Sequence, residues 1–269
     1  MLLMKAVLIS GVSGGVGLET AKQFINNGYF VFGLDKREPN EIFDNLTFIK
    51  TDITKKDEIE YAFNIVKESG HRLSSIICTA GVYDLNSLVE ISEEEFIKIF
   101  DINVFSIYRI NKAFLPLLED RSKVIMISSE LGPLDPLPFT GIYAITKSLV
   151  EKYAYSLRME LQLLGHQVVL IRPGAIDTGM IDVSVSKLER FTKETKHYQY
   201  NSKRFLKIAN SVENKKIPPY KVARLIYKVS LKKKPRYVYK INRNPLLIFL
   251  NVLPHRLQNC IIKKILTAK

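Results

Sequence analysis

A glycine-rich turn near the amino terminus places the strongest constraint on the fold of this chain. Residues 5–10 are short and mostly apolar, as in a parallel strand buried on both faces. The turn 11–17 follows, and residues 18–27 then carry apolar side chains at helical spacing. Glycines allow a sharp strand-to-helix turn and let a pyrophosphate approach the N–H groups at the helix start. The pattern favours a nucleotide-binding unit, whereas the turn alone is equally compatible with a flexible loop.

An acidic residue follows the second predicted strand, residues 29–34. Asp35 stands at the carboxyl end of that strand, eighteen residues after Gly17. A carboxylate there can accept hydrogen bonds from the adenosine ribose and would repel a 2′-phosphate, so NAD is preferred as the cofactor. The neighbouring Lys36 and Arg37 can neutralise such a phosphate, which keeps NADP as the alternative.

A tyrosine and a lysine lie four residues apart in helix-compatible sequence. On a helix, this spacing puts the phenol of Tyr143 and the ammonium of Lys147 on one face, where the cation favours the phenolate. Ser129 stands fourteen residues before the tyrosine, after a predicted strand. Because a free tyrosine with a pKa of about 10 is a poor base at neutral pH, the lysine and a positive nicotinamide are expected to lower that pKa.

Taken in order along the chain, these motifs resemble the short-chain dehydrogenase/reductase family from about Lys5 to Met180. The resemblance implies a catalytic tetrad. Its members are Asn103, Ser129, Tyr143 and Lys147. Tyr143 would be the acid/base, Ser129 would hydrogen-bond the substrate oxygen, and Lys147 would hold the ribose. Asn103 would support a proton-relaying water. The interval of fourteen residues from Ser129 to Tyr143 is one longer than the interval common in the family. Ser128 is the competing serine, but Ser129 aligns better with Gly132, three residues further on.

The resemblance also implies the cofactor contacts. The glycine motif begins after Ser10, where the family usually has threonine, and the family's Asn-Asn-Ala-Gly motif is replaced by Cys78-Thr79-Ala80-Gly81. The implied contacts are Ser10, Gly11, Ser13, Gly15, Val16, Gly17, Asp35, Lys36, Asp52, Ile53, Ala80, Gly81, Tyr143, Lys147, Pro173, Gly174, Ile176 and Thr178.

The whole chain is predicted to form one α/β domain, a doubly wound Rossmann-type fold with a parallel sheet of about seven strands. Its 269 residues, 46% of them hydrophobic, suffice for one sizeable core. Residues 1–182 are interpreted as the dinucleotide-binding and catalytic core, and 183–269 as a substrate loop and basic extension of the same domain. Further strands are expected at 46–50, 74–79, 123–128, 167–172 and 236–239, and helices at 55–69, 103–118 and 143–164.

The cysteine and histidine content favours a reducing compartment and no metal site. Cys78 and Cys260 provide no disulfide framework, and the four histidines lack ligand spacing. The first strand begins without a preceding signal pattern, so a cytoplasmic location is expected, with membrane association as a variant of it.

The last third of the chain is strongly basic. From Lys187 to Lys269 there are 22 Lys and Arg against three Glu, a net charge of +19, which leaves −6 for the first 186 residues. Residues 183–216 are predicted to be a long polar loop with interspersed aromatic side chains. Three interpretations stay open: a solvated lid, a mouth that attracts an anionic substrate, or attachment to an anionic membrane.

An apolar tail follows this basic segment. Residues 244–254 are strongly apolar but short, and apolar side chains resume at helical spacing after Pro254. Such an element could lie on a membrane, cover a lipophilic pocket or form a subunit contact. With residues 234–238, the tail is similar to the retinol and hydroxysteroid dehydrogenase branch, which implies a lipophilic substrate.

The function predicted from these features is NAD(P)-dependent interconversion of a secondary alcohol and a ketone on a lipophilic, steroid- or retinoid-like substrate. An NADPH-dependent reductase of acyl or other small carbonyl compounds is the alternative, and a non-catalytic nucleotide-binding scaffold is the remote one. The family implies a homodimer or homotetramer. Nucleic acid is not an expected partner, because no reading motif accompanies the charge.

Overall fold

In a computed structural model, residues 4–41, 43–213 and 215–267 are described. Within them, seven strands form one parallel sheet in the order β3-β2-β1-β4-β5-β6-β7. The strands are β1 (Ala6–Ser10), β2 (Phe30–Asp35), β3 (Leu46–Lys50), β4 (Leu73–Cys78), β5 (Leu118–Ile127), β6 (Gln167–Pro173) and β7 (Val238–Ile241). The predicted doubly wound parallel sheet is confirmed. The order reverses between β1 and β4, which opens a crevice at the carboxyl ends of these strands.

Helices cover both faces of the sheet. They are α1 (Gly15–Ile25), α2 (Lys56–Glu68), α3 (Glu93–Phe100), α4 (Ser106–Phe114), α5 (Gly141–Leu161), α6 (Gly179–Glu194), α7 (Gln199–Glu213), α8 (Pro219–Ser230), α9 (Pro245–Val252) and α10 (His255–Thr267). Side chains of β1 alternate between two cores: Leu8 packs with residues of α2, α4 and α5, and Ile9 with residues of α1 and α8. This explains why β1 is apolar on both faces.

The helix expected at 103–118 is divided. A π-helical segment, Asp101–Phe105, joins α3 to α4, and a short 3₁₀ turn, Leu115–Leu117, follows α4. The β5 strand also begins earlier than expected, because Leu118 pairs with Leu73 before the register shifts. A π segment inserts one extra residue per turn and is frequent at functional sites. Here it carries Asn103.

The segment predicted as a long polar loop is helical. Residues 179–213 form α6 and α7, which we call the lid. Leu188, Phe191 and Phe205 are buried in an apolar cluster, and that packing stabilises helices whose other faces are polar. The boundary placed after residue 182 therefore falls inside α6. Residues 1–3 and 268–269, and with them Lys269, lie outside the described residues.

Candidate active site

Tyr143 and Lys147 lie one turn apart near the start of α5, as their spacing predicts. The Lys147 Nζ is 5.6 Å from the centroid of the Tyr143 ring. The same Nζ donates a hydrogen bond of 3.1 Å to the Ile127 carbonyl oxygen at the end of β5. The ammonium is thus held between the phenol and the carboxyl edge of the sheet.

The two neighbouring serines point to different partners. Ser129 shares a hydrogen bond with the Tyr143 hydroxyl, and its Oγ accepts one of 3.2 Å from the Leu131 N–H. The Ser128 Oγ instead donates to Glu151 Oε1 at 2.9 Å. Glu151 is in turn held by Arg172 at 2.7 and 2.6 Å. Ser129 therefore lies next to the phenol, whereas Ser128 belongs to a buried network with the Glu151–Arg172 ion pair.

Burial governs the protonation of the tyrosine and the lysine. It raises the pKa of Tyr143 to about 12. The hydrogen bond from Ser129 acts to lower this pKa, and the nearby charge of Glu130 acts to raise it further. Burial also lowers the pKa of Lys147 to about 8. The lowering of the tyrosine pKa expected from the sequence is therefore absent in the protein by itself, because desolvation of the phenolate outweighs the Ser129 hydrogen bond. At neutral pH the phenol carries its proton.

Asn103 is fully buried, and its amide braces the loop after β4. Its Oδ1 accepts from the Val82 N–H at 2.8 Å, and its Nδ2 donates to the Val82 carbonyl at 3.0 Å. Nδ2 also donates to Thr146 Oγ1 at 3.1 Å. The side chain acts as a brace between this loop and α5, and the water relay expected from the resemblance stays a prediction.

The glycine turn meets two other predicted cofactor segments. Gly11 has a φ of +77°, and a Cβ there would lie 2.7 Å from the Ala80 backbone. A Cβ on Gly15 would lie 2.8 Å from the Thr178 methyl group. Only glycine permits these approaches, so the turn, Ala80-Gly81 and the Thr178 segment enclose one cradle beside the start of α1. Such a cradle fits a dinucleotide pyrophosphate.

The threonine that replaces an asparagine of the family supplies its own brace. Thr79 Oγ1 donates a hydrogen bond of 2.7 Å to the Ser10 carbonyl oxygen, next to the bond of 3.1 Å from its backbone N–H. The ends of β1 and β4 are thereby fastened at the crevice.

At the carboxyl end of β2, Asp35 accepts hydrogen bonds from two backbone N–H groups. Those of Ser13 and Arg37 each lie 3.2 Å from its carboxylate oxygens. Lys36 Nζ is 2.8 Å from Asp52 Oδ2. Burial acts to raise the pKa of Asp52, but hydrogen bonds from Lys36 and Thr54 outweigh it and hold the pKa below its usual value.

The other implied contacts follow the same edge of the sheet. Pro173 ends β6, and a Cβ on Gly174 would lie 1.8 Å from the Asn242 carbonyl oxygen, so the chain passes very close to the end of β7. Ile176 pairs with Ile217 in an isolated bridge, which holds the segment leading to Thr178. Val16 lies in the first turn of α1, and Ile53 is buried after β3.

Three residues of the site were missed in the sequence. The Tyr83 ring lies edge-on to the Tyr143 ring, with centroids 4.6 Å apart. Phe139 has a φ of +65°, unusual for a bulky side chain, in the loop before α5. Glu130, beside Ser129, is buried, and burial raises its pKa against the Asn244 N–H and the Arg243 charge. Two of these residues could have been found from their positions in the sequence. Tyr83 follows Ala80-Gly81 closely, and Glu130 follows Ser129 directly.

An apolar cluster adjoins this site. Tyr83 packs against it, and its buried members come from the loops before α3 and α5, from the lid and from the last turn of α10. They are Leu85, Phe139, Leu188, Phe191, Phe205 and Leu266. The cluster therefore forms an apolar wall reached from Tyr143 through Tyr83.

Polar contacts tie the lid to the loop that follows β4. Lys187 on α6 forms an ion pair with the buried carboxylate of Asp84. Glu90 accepts hydrogen bonds of 2.6 Å from Thr195 Oγ1 and 2.8 Å from the Lys196 N–H. The lid is therefore fastened to this loop, and together they enclose the apolar cluster.

Comparisons with known proteins identify the family and agree with the fold. A model of the short chain dehydrogenase family matches residues 5–189. A 3-ketodihydrosphingosine reductase of Bacteroides thetaiotaomicron is 30% identical over 238 residues, 87% of each chain. An NADPH-dependent 3-dehydrocapnine reductase of Ornithobacterium rhinotracheale is 32% identical over 192 residues, 65% of this chain and 66% of that one. The crystal structure of a short-chain dehydrogenase from Streptomyces avermitilis has the same fold, with a TM-score of 0.76 and 22% identity over 98% of this chain and 96% of that chain.

Proposed function

This chain belongs to the short-chain dehydrogenase/reductase family, and we propose that it reduces the ketone of a long-chain, lipophilic substrate to a secondary alcohol. The observation that carries the proposal is the apolar cluster joined to Tyr143 through Tyr83. A wall of Leu and Phe side chains favours a hydrocarbon chain, because it gains free energy as apolar surface leaves water. The name of the Bacteroides relative, a 3-ketodihydrosphingosine reductase, supports the same substrate class.

The catalytic residues divide the work of carbonyl reduction. A bound nicotinamide cofactor supplies the hydride. In the proposal, the Ser129 hydroxyl donates a hydrogen bond to the ketone oxygen, and the Tyr143 hydroxyl donates its proton to that oxygen as negative charge develops there. Lys147 stabilises the phenolate that remains. Asn103 holds the loop that carries Tyr83, and in the proposal it also supports the proton-relaying water.

For the cofactor, we propose NAD(H) first and NADP(H) second. Asp35, held by two backbone N–H groups, directs a carboxylate to the ribose side of the cradle. The salt bridge from Lys36 to Asp52 supports NAD(H) as well, because it engages one of the two cations that could receive a 2′-phosphate. Arg37 and the NADPH dependence of the Ornithobacterium relative support the second candidate.

Self-association is proposed as a homodimer or homotetramer. Exposed Phe105 and Tyr108 on the π segment and α4, with Tyr155 and Met159 on α5, provide apolar surface for a contact between copies. For location, we propose a cytoplasmic protein whose basic carboxyl-terminal part attaches peripherally to a membrane. No helix in the described part of the chain is both long enough and apolar enough to cross one.

The substrate class is tested by measuring turnover of carbonyl compounds with NADH and NADPH side by side. The series includes 2-amino-3-ketones of increasing chain length, a steroid ketone, a retinoid aldehyde and small acyl ketones. We expect kcat/KM to rise with chain length, because each added CH₂ that leaves water contributes about 0.8 kcal/mol. Equal or better turnover of the small ketones would reject the lipophilic substrate.

The rate of carbonyl reduction is expected to fall as the pH rises through about 8. The pKa of Lys147 lies near 8, so its charge is present below that pH and lost above it. Tyr143, with a pKa of about 12, keeps its proton throughout this range, so the phenol does not cause the loss. The measurement is the pH dependence of kcat/KM, which reports groups of the free enzyme.

A Lys147→Arg variant is the control for this profile, since arginine keeps its charge at all these pH values. It is expected to be slower but to lack the fall near pH 8. A fall with the same midpoint in both proteins would show that another group titrates.

The two serines are expected to respond differently to alanine. Ser129→Ala should lower kcat/KM by about 10²-fold, since a hydrogen bond to developing charge in the transition state is lost. Ser128→Ala should keep activity within a few-fold and lower the free energy of unfolding by about 1 kcal/mol, because Glu151 loses one partner. Turnover and thermal unfolding of both variants check this, and the reverse pattern would make Ser128 the catalytic serine.

A further inference from the structure

Helix α9 exposes apolar side chains along one side. Leu246, Phe249 and Val252 follow one another at intervals of three residues and are 68%, 64% and 79% exposed. On α10, which follows α9, Leu257 and Ile265 are exposed apolar side chains as well. Large apolar side chains clustered at this density on a surface mark an interaction site more often than scattered ones do. We call α9 and α10 with these five side chains the tail surface.

The charges of the tail surface are basic. Arg243 precedes α9, and Arg256, Lys263 and Lys264 lie on α10. The carboxylate of Asp135 lies near this surface, 3.6 Å from the His255 ring. Apolar side chains with basic neighbours are typical of elements that lie in the interface of an anionic bilayer. A second copy of this chain fits less well, because the same cations would face each other across a two-fold contact.

The ends of the tail surface are fastened to the active site and the lid. At the start, the Asn244 N–H donates a hydrogen bond of 2.6 Å to Oε2 of Glu130, the residue after Ser129. At the end, Leu266 is buried in the apolar cluster, and its carbonyl accepts a hydrogen bond of 2.9 Å from Asn201 on the lid. The exposed apolar side chains therefore lie on a strap that joins the loop carrying Ser129 and Glu130 to the lid.

We infer that the tail surface docks on an anionic phospholipid bilayer, with α9 lying in the interface and the rim of the active site facing the lipid. An eight-residue helix is about 12 Å long, against about 30 Å of hydrocarbon core, so α9 lies in the membrane surface and does not span it. The docked strap brings the lid to the surface in which a long-chain ketone dissolves. The role of this docking in substrate delivery rests on the proposed function. The docking itself is measured without any assay of turnover.

The test is co-sedimentation of the full-length protein with vesicles of phosphatidylcholine, alone or mixed with phosphatidylglycerol. The triple variant Leu246→Ser, Phe249→Ser, Val252→Ser is compared with the control Leu163→Ser, Leu164→Ser, which changes exposed leucines beyond α5. We expect wild type and control to bind the mixed vesicles and the triple variant to bind about tenfold or more weakly. Binding should also weaken with added salt.

No binding to the mixed vesicles, or equal binding by the triple variant, would overturn the inference. A third result would also overturn it: the wild type is a dimer, the triple variant is a monomer, and both bind vesicles equally. That result would identify the tail surface as a contact between copies. Turnover of a detergent-dispersed long-chain ketone should be the same in wild type and triple variant, and turnover of the ketone held in vesicles should fall. Vesicle binding without turnover of any ketone would reject the proposed function and leave the docking intact.

Discussion

Tyr143→Phe is expected to lower kcat/KM for carbonyl reduction by about a thousandfold, the range that a positioned general acid contributes. The phenol is the group that can give its proton to the ketone oxygen, and with a pKa of about 12 it keeps that proton up to strongly alkaline pH. The phenyl ring preserves the packing against Tyr83, where the centroids are 4.6 Å apart. Steady-state kinetics and cofactor titration are the measurements, with cofactor affinity expected to change little.

Tyr153→Phe is the matched control, because Tyr153 lies on the same helix and burial also raises its pKa to about 12. Its hydroxyl accepts a hydrogen bond of 3.3 Å from Asn111 on α4, and not from Ser129. The variant should lose a little stability and keep its turnover. If Tyr143→Phe retained most of its activity, or if both variants lost it equally, the general-acid role would be wrong.

Asp35→Asn is expected to lower the ratio of kcat/KM for NADH to that for NADPH by about a hundredfold. Removing the carboxylate charge removes its repulsion of a 2′-phosphate, and like charges in contact cost several kcal/mol. Asparagine keeps an oxygen that can accept from the Ser13 or Arg37 N–H, so the cradle should survive. Kinetics with both cofactors measure the ratio.

Asp57→Asn serves as the charge control, since Asp57 is exposed in the first turn of α2. It should leave the ratio unchanged. An unchanged ratio in Asp35→Asn, or a wild type that prefers NADPH despite Asp35, would show that Lys36 and Arg37 dominate recognition of the adenosine end.

The features predicted well are those carried by local sequence. The strands β1, β2 and β3 were placed within one or two residues, because apolar runs bounded by glycine and polar residues specify buried parallel strands. The spacing of Tyr143 and Lys147 required only that α5 form, and a helix turn is a local structure. The polar and basic residues of the lid predict a loop, whereas a few buried apolar side chains stabilise it as two helices.

The doubly wound sheet, the glycine turn, the family and the residue types of the candidate site can all be predicted from the amino-acid sequence. These depend on periodicity and on spacing within single elements. Three features required the folded chain: Ser129 contacts the phenol while Ser128 contacts Glu151, burial raises the pKa of Tyr143, and the apolar tail connects the lid to Glu130. Each of these depends on which distant segments pack together and how much water they exclude, and desolvation and long-range contacts have no local signature in the chain.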